Sequence, residues 1–161
     1  MILEIKAAQL DDLKLISSMA REIWQETYVD SIGQAQVNYM LGLFYSENAL
    51  IHNANLGHDI FLINYDGQVI GYLDIEKKDY GIFIHKFYLI NNGQRKGTGS
   101  EVMNWLFSKY DMFNKVARLN VNRKNYKAIN FYFKNGFMIE MTGDFDIGGG
   151  YFMNDFVMIR R

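Results

Sequence analysis

The stretch LINNGQRKGTGSEV, residues 89–102, constrains this chain more than any other. An apolar strand-type run ends there, three glycines alternate with Arg95 and Lys96, and a helix-type sequence follows. A strand, a glycine-rich basic turn and a helix in that order leave bare backbone N–H groups at the helix start. The helix dipole favours negative charge at such a place, so the turn predicts an anion site. It is not a P-loop, because GQRKGTGS lacks the terminal Lys-Ser/Thr pair. It is not a dinucleotide fingerprint either, since GTGSEV puts Val102 where the third glycine belongs and the turn follows strands late in the chain.

The rest of the sequence supplies elements around that turn. Ile2–Lys6 reads as a first strand. From Asp11, Leu13, Ile16, Ala20, Ile23 and Thr27 recur at helical spacing, predicting a helix to about Tyr28. GQAQVNYMLGLFYS predicts a second helix. HDIFLIN and QVIGYLDIE are apolar runs joined by Asp66-Gly67, a strong hairpin signal. A long strand over Tyr80 to Ile90 leads into the basic turn, and Val102, Met103, Leu106, Phe107 and Tyr110 form the stripe of the helix after it. ARLNV reads as a buried strand. Asn125 is placed to cap a helix through Phe133 that ends at a left-handed Gly136, and FMIEMT and YFMNDFVMI flank a loop holding Gly148 to Gly150. The predicted order is β-α-α-β-β-β-α-β-α-β-β, an α+β or mixed α/β chain with a mostly antiparallel sheet.

The 161 residues suffice for one domain with a sizeable core. Cysteine is absent, which excludes disulfides, thiolate metal sites and a cysteine nucleophile. The N-terminus has no signal-type apolar segment and no run nears the roughly 18 apolar residues of a membrane span, so the expectation is a cytoplasmic protein without membrane partners. A net charge of −1 conceals a split: residues 1–80 hold 5 Lys/Arg against 12 Asp/Glu, and residues 94–134 hold 9 against 2. An anionic partner for the later segment and a cationic one for the earlier segment follow from that split, beside the plainer reading of solvated surface charge.

QRKGTG after a long strand, and N-x-x-A-x-x-F-Y-x-x-x-G-F over residues 125–137, together resemble the GNAT superfamily of N-acetyltransferases. The resemblance runs through nearly the whole chain in element order. It implies a single N-acetyltransferase domain over 1–161, built on a twisted, mostly antiparallel sheet of about seven strands with helices on both faces. It also implies acetyl-CoA as cosubstrate, with no metal. In that family the first motif wraps the cofactor's pyrophosphate, which corresponds here to Gln94, Arg95, Lys96, Gly97, Thr98, Gly99 and Ser100. The preceding strand, Phe87, Tyr88 and Leu89, would bond the pantetheine arm through its backbone. Asn125, Tyr132 and Lys134 fall on the second cofactor motif. Many members carry proline where this chain has Asn91. The front half and the close of the chain, IWQETY, YML..FYS and DIGGGYFMNDFVM, look most like the PaiA-type polyamine acetyltransferases.

Without cysteine or a G-x-S-x-G elbow, direct attack of an amine on the thioester is the simplest mechanism. Leu89 N–H is the candidate oxyanion donor, and by resemblance Tyr132 protonates the leaving thiolate. An alkylamine arrives protonated, with a pKa near ~10. His85 is the candidate base; a water relay is the alternative, and so is a purely structural histidine. His52 and His58 are expected in a surface loop. Asp144 and Asp146 faintly suggest a calcium loop but lack its spacing, and read better as a hairpin turn. For the acceptor, Glu26, Tyr28 and Tyr39 on the first two helices and Asp155 on the last strand are the candidate contacts. A diamine or polyamine suits them. Acetylation of a protein N-terminus or lysine, and a non-catalytic acyl-CoA-binding domain, are the rival readings. Nucleic acid is not an expected partner, and the chain is expected to be a monomer or homodimer.

Overall fold

The computed structural model describes residues 2–90 and 96–161. The candidates Gln94 and Arg95, and the proline-replacing Asn91, lie outside the described residues. The order of elements is β1 (Leu3–Ala7), α1 (Asp12–Ile32), α2 (Gln34–Tyr45), α3 (Glu47–Asn55), β2 (Asp59–Tyr65), β3 (Gln68–Lys78), β4 (Gly81–Leu89), α4 (Thr98–Lys109), β5 (Val116–Asn122), α5 (Tyr126–Lys134), β6 (Met138–Gly148) and β7 (Tyr151–Arg160). The seven strands follow one another in the order β1-β2-β3-β4-β5-β7-β6. The pairs β1/β2, β2/β3, β5/β7 and β6/β7 are antiparallel and β4/β5 is parallel. This is the mixed α/β, mostly antiparallel architecture expected from the sequence. None of the described helices is long and apolar enough to cross a membrane.

The chain divides into two compact units, one of Met1–Glu76 with Lys86–Thr98 and one of Lys77–His85 with Gly99–Arg161. In the first unit, α1 buries Leu13, Ile16, Met19, Ala20, Ile23, Trp24 and Tyr28, one continuous stripe at the 3.6-residue period. The helix runs four residues beyond the expected end, and Thr27 is exposed, because the stripe passes through Trp24 and Tyr28 instead. Gly33, at φ 83°, closes α1 by donating its N–H to the Val29 carbonyl at 2.9 Å. An unexpected helix follows: Ser46 accepts a hydrogen bond from Ala49 N–H at 3.2 Å and starts α3. His52 is therefore helical, not in a loop.

The β2–β3 hairpin turns on Asp66 (φ 47°) and Gly67 (φ 81°), two positive angles of the kind a tight primed turn requires. Asp66 also ties down β1, its carboxylate accepting from Ile2 N–H at 2.7 Å. Gly71 of β3 lies directly against the backbone of β4. A Cβ there would lie 2.2 Å from the Tyr88 carbonyl oxygen, so no side chain fits. Gly71→Ala is expected to cost about 1–3 kcal/mol, because the obstacle is backbone that cannot swing aside. Thermal unfolding followed by circular dichroism checks this, at roughly 2–4 °C for each kcal/mol.

In the second unit, α4 buries Val102, Met103 and Leu106, and β5 alternates buried and half-buried positions as a central strand should. The parallel β4–β5 ladder joins Gly81–Ile84 to Val116–Leu119. Asn125 caps α5, accepting from Ala128 N–H at 3.1 Å, as expected. β6 is longer than FMIEMT suggests. Asp144 and Asp146 lie within this strand, not in a turn: Asp144 accepts from Arg123, and Asp146 from Gly148 N–H at 2.9 Å. The turn itself is made by Gly148, Gly149 and Gly150, all at positive φ.

Candidate functional site

The expected anion turn is described from Lys96 onward. Lys96 and Gly97 are exposed, Gly97 at φ 104°, and Thr98 is buried at the first residue of α4 with Gly99 and Ser100 half-buried behind it. The arrangement is a helix N-terminus opening on a glycine in a conformation side chains rarely adopt, next to a cation. Such a start suits a phosphate.

Tyr132 is set by the end of α5. Phe137 N–H donates to the Tyr132 carbonyl at 3.0 Å and Gly136 N–H to that of Phe133 at 3.1 Å, the two bonds of a Schellman motif with Gly136 at φ 87°. The apolar contact that accompanies this motif is Tyr132 against Phe137, ring centroids 5.5 Å apart, with Phe131 at 5.3 Å on the ring. The sequence pattern F-Y-x-x-x-G-F is therefore a device that terminates a helix and fixes a buried tyrosine. Phe133, next to Tyr132, is exposed. Lys134 lies exposed in the last turn.

On β4, alternation separates two sets of side chains. Lys86 is buried, whereas His85 is exposed, its ring 4.7 Å from Phe83. Exposure favours a functional or solvated histidine over a core one. Phe87, Tyr88 and Leu89 are half-buried.

The acceptor candidates of the first unit divide. Glu26 is exposed on α1 and Tyr39 half-buried on α2, whereas Tyr28 is buried with its hydroxyl 3.4 Å from that of Tyr88. Around this pair the structure assembles an aromatic group larger than expected. Trp24 lies 4.5 Å from Tyr28 and 5.3 Å from Tyr45, and Tyr72 lies 5.7 Å from Tyr88, centroid to centroid. Burial, and after it the neighbouring phenols, pushes the hydroxyls of Tyr72 and Tyr88 up, so they remain neutral at physiological pH. Trp24 Nε1 and Tyr72 Oη are buried without a partner at hydrogen-bond geometry among the described residues.

Beside these rings is a cluster that the sequence did not announce. Asp74, fully buried on β3, accepts from Lys86 Nζ at 2.9 Å and Asn53 Nδ2 at 3.0 Å, and lies 2.6 Å from His58 Nδ1. Lys86 Nζ sits 5.1 Å from the centre of the Tyr45 ring. Burial alone would raise Asp74, but the Lys86 ammonium and the His58 contact outweigh it and hold the carboxyl below the usual range. The His58 side chain, expected at the surface, is 7% exposed for this reason. Charge inside two apolar strand runs, Asp74 in QVIGYLDIE and Lys86 in IFIHKFYLI, is the signal that the sequence offers.

Asp155, the acceptor candidate of the second unit, is buried on β7 opposite Asn122 of β5 and Gly143 of β6.

The chain is 27% identical over 156 residues to the spermidine N(1)-acetyltransferase of Thermoplasma acidophilum, covering 91% of this chain and 94% of that one. It is 31% identical over 104 residues to an uncharacterised N-acetyltransferase of Mycobacterium tuberculosis, covering 63% and 66%. The crystal structure of the PaiA N-acetyltransferase of Thermoplasma acidophilum in complex with coenzyme A superposes with a TM-score of 0.81 at 24% identity, over 100% of this chain and 99% of that one. The model of the acetyltransferase (GNAT) family matches residues 17–137, and the chain belongs to that family as an N-acetyltransferase.

Proposed function

We propose that this chain, as one domain over residues 1–161, transfers the acetyl group of acetyl-CoA directly to a primary amine of a small diamine or polyamine. The observation that carries the acceptor class is the end-to-end match to a spermidine acetyltransferase, which spans both units of this chain. The acidic face of α1 agrees with it: Glu22, Glu26 and Asp30 are all exposed along one helix, in a segment with far more carboxylates than cations. Carboxylates concentrate a polycation near the protein, and one ammonium can anchor while the other end reacts. An aromatic face such as that of the half-buried Tyr39 holds an ammonium with about 0.5–2 kcal/mol. For the cosubstrate, Lys96, the Gly97 turn and the start of α4 supply positive charge and backbone N–H groups for phosphate, and Leu89 N–H supplies an oxyanion donor.

The test compares spermidine, a monoamine of similar length, an anionic amino acid and an N-terminal peptide, each with acetyl-CoA at two salt concentrations. Spermidine is expected to show the highest kcat/KM, with an advantage that shrinks as salt rises. A preference for the peptide or the amino acid overturns the acceptor class. Coenzyme A binding that is no tighter than millimolar overturns the cosubstrate.

A further inference from the structure

Along β7, Tyr151, Met153, Asp155, Val157 and Ile159 share one face; on the other, Phe152 and Asn154 are exposed while Met158 is fully buried. A carboxylate thus occupies a position where its neighbours are apolar, and it is only 6% exposed. The ring of Phe145 folds across Gly143, the residue paired with Asp155, where a Cβ would meet it at 2.3 Å. No hydrogen bond or ion pair with a described residue satisfies this carboxylate.

The charged groups of the flanking strands are committed elsewhere. Arg118 of β5 holds Glu140 of β6 through two bonds at 2.8 and 2.9 Å. Arg123, just past β5, bonds Asp144, and Asp146 accepts from Gly148 N–H. Arg160 of β7 stacks on Phe107 at 4.0 Å. Burial pushes the Asp155 carboxyl up to about 6, against a smaller opposing pull from the Arg123 charge. A carboxylate in a nearly closed, apolar setting that makes it more basic is suited to accept a proton. Its location agrees, because its partner Asn122 ends β5 and accepts the Asn125 N–H at 2.9 Å, so Asp155 sits beside the loop that starts α5, the helix of Tyr132.

We propose that Asp155 is the general base that takes the first proton from the acceptor's ammonium group. This rests on the amine-acetylation reading above. The acceptor R–NH₃⁺ gives one proton to the Asp155 carboxylate. The freed nitrogen lone pair forms the N–C bond to the thioester carbonyl, and the C–S bond breaks. The second nitrogen proton balances the thiolate, which leaves as the thiol. Asp155 returns its proton to water, so acetyl-CoA and R–NH₃⁺ give the amide, CoA-SH and one H⁺. The base acts on the ammonium form, which is abundant at neutral pH.

The experiment measures kcat/KM against pH for the wild type and for Asp155→Asn, with an alkylamine acceptor and with an amine whose pKa lies near neutrality. For the wild type, kcat/KM with the alkylamine rises to about pH 6 and then levels. For Asp155→Asn it is about 10²–10⁴-fold lower at neutral pH and keeps rising about tenfold per unit toward the amine's own pKa, since only pre-formed free amine can react. The weakly basic amine restores most of the variant's activity. A wild-type profile that itself climbs steadily toward the amine pKa overturns the base assignment, and so does a variant with the wild-type profile; neither result depends on how well the variant folds. Absence of acetylation of every amine by the wild type overturns the acceptor reading, and the base assignment with it. Unchanged coenzyme A affinity in Asp155→Asn is expected in every case that supports the proposal.

Discussion

Asp74→Asn is expected to lower the free energy of unfolding by about 3–5 kcal/mol, the cost of leaving a buried charge without its partner. Asparagine keeps the shape of the side chain but not its charge, and Lys86 Nζ, 2.9 Å away with a side chain 6% exposed, has no water to fall back on. The two further contacts to Asn53 and His58 make Asp74 the hub of the cluster, so one change weakens three interactions. Because the folded-state pKa is depressed, the carboxylate stabilises the protein fully above the unfolded-state value of about 3.9 and progressively less as pH falls through the folded one. The stability gap between wild type and Asp74→Asn should therefore be complete at pH 7 and close in strong acid. Urea unfolding at both ends of that range measures it. A gap that does not narrow in acid would show that packing, and not charge, is lost. The pair Asp74→Leu with Lys86→Met removes both charges together, and should destabilise less than the sum of the single changes.

That cluster also marks where sequence reading stops. The Asp66-Gly67 turn, the Asn125 cap and the Gly136 helix end were legible, because each depends on residues within a few positions of one another. α3 was not: Glu47–Asn55 buries only Leu50, and one apolar residue sets no period. His58 and Asp74 are 16 residues apart and Asp74 and Lys86 are 12 apart, so their meeting depends on how the strands pair. Without that pairing, His58 reads as one more polar loop residue. Asp144 and Asp146 read as turn residues from sequence for a related reason. β6 is exposed along much of its length, and a strand with little to bury shows little apolar alternation. At the candidate site the sequence supplied the motif positions, but not the burial that separates Asp155 from the exposed Glu26. Burial is a property of the whole fold.

Tyr132→Phe is expected to reduce kcat by about 10²–10⁴-fold while coenzyme A affinity stays within a few-fold, if its hydroxyl protonates the departing thiolate. The local structure makes this substitution a clean one. The ring is held from below by the helix-ending bonds of Gly136 and Phe137 and from the sides by Phe131 and Phe137, and phenylalanine keeps every one of those contacts. What disappears is one oxygen on a side chain 8% exposed. A general acid lost in this way should also leave a signature on the leaving group. A cosubstrate analogue whose thiol is more acidic needs less protonation, so the penalty of Tyr132→Phe should shrink with it. Stopped assays of thiol release with both cosubstrates measure the effect, and thermal unfolding of the variant shows whether packing has changed. Wild-type turnover in a normally folded Tyr132→Phe would reduce Tyr132 to a packing residue of the α5 terminus. A loss of coenzyme A affinity as large as the loss of rate would make its hydroxyl a binding group. Rate loss that depends on the leaving thiol, at constant affinity, is the result that assigns it the acid role.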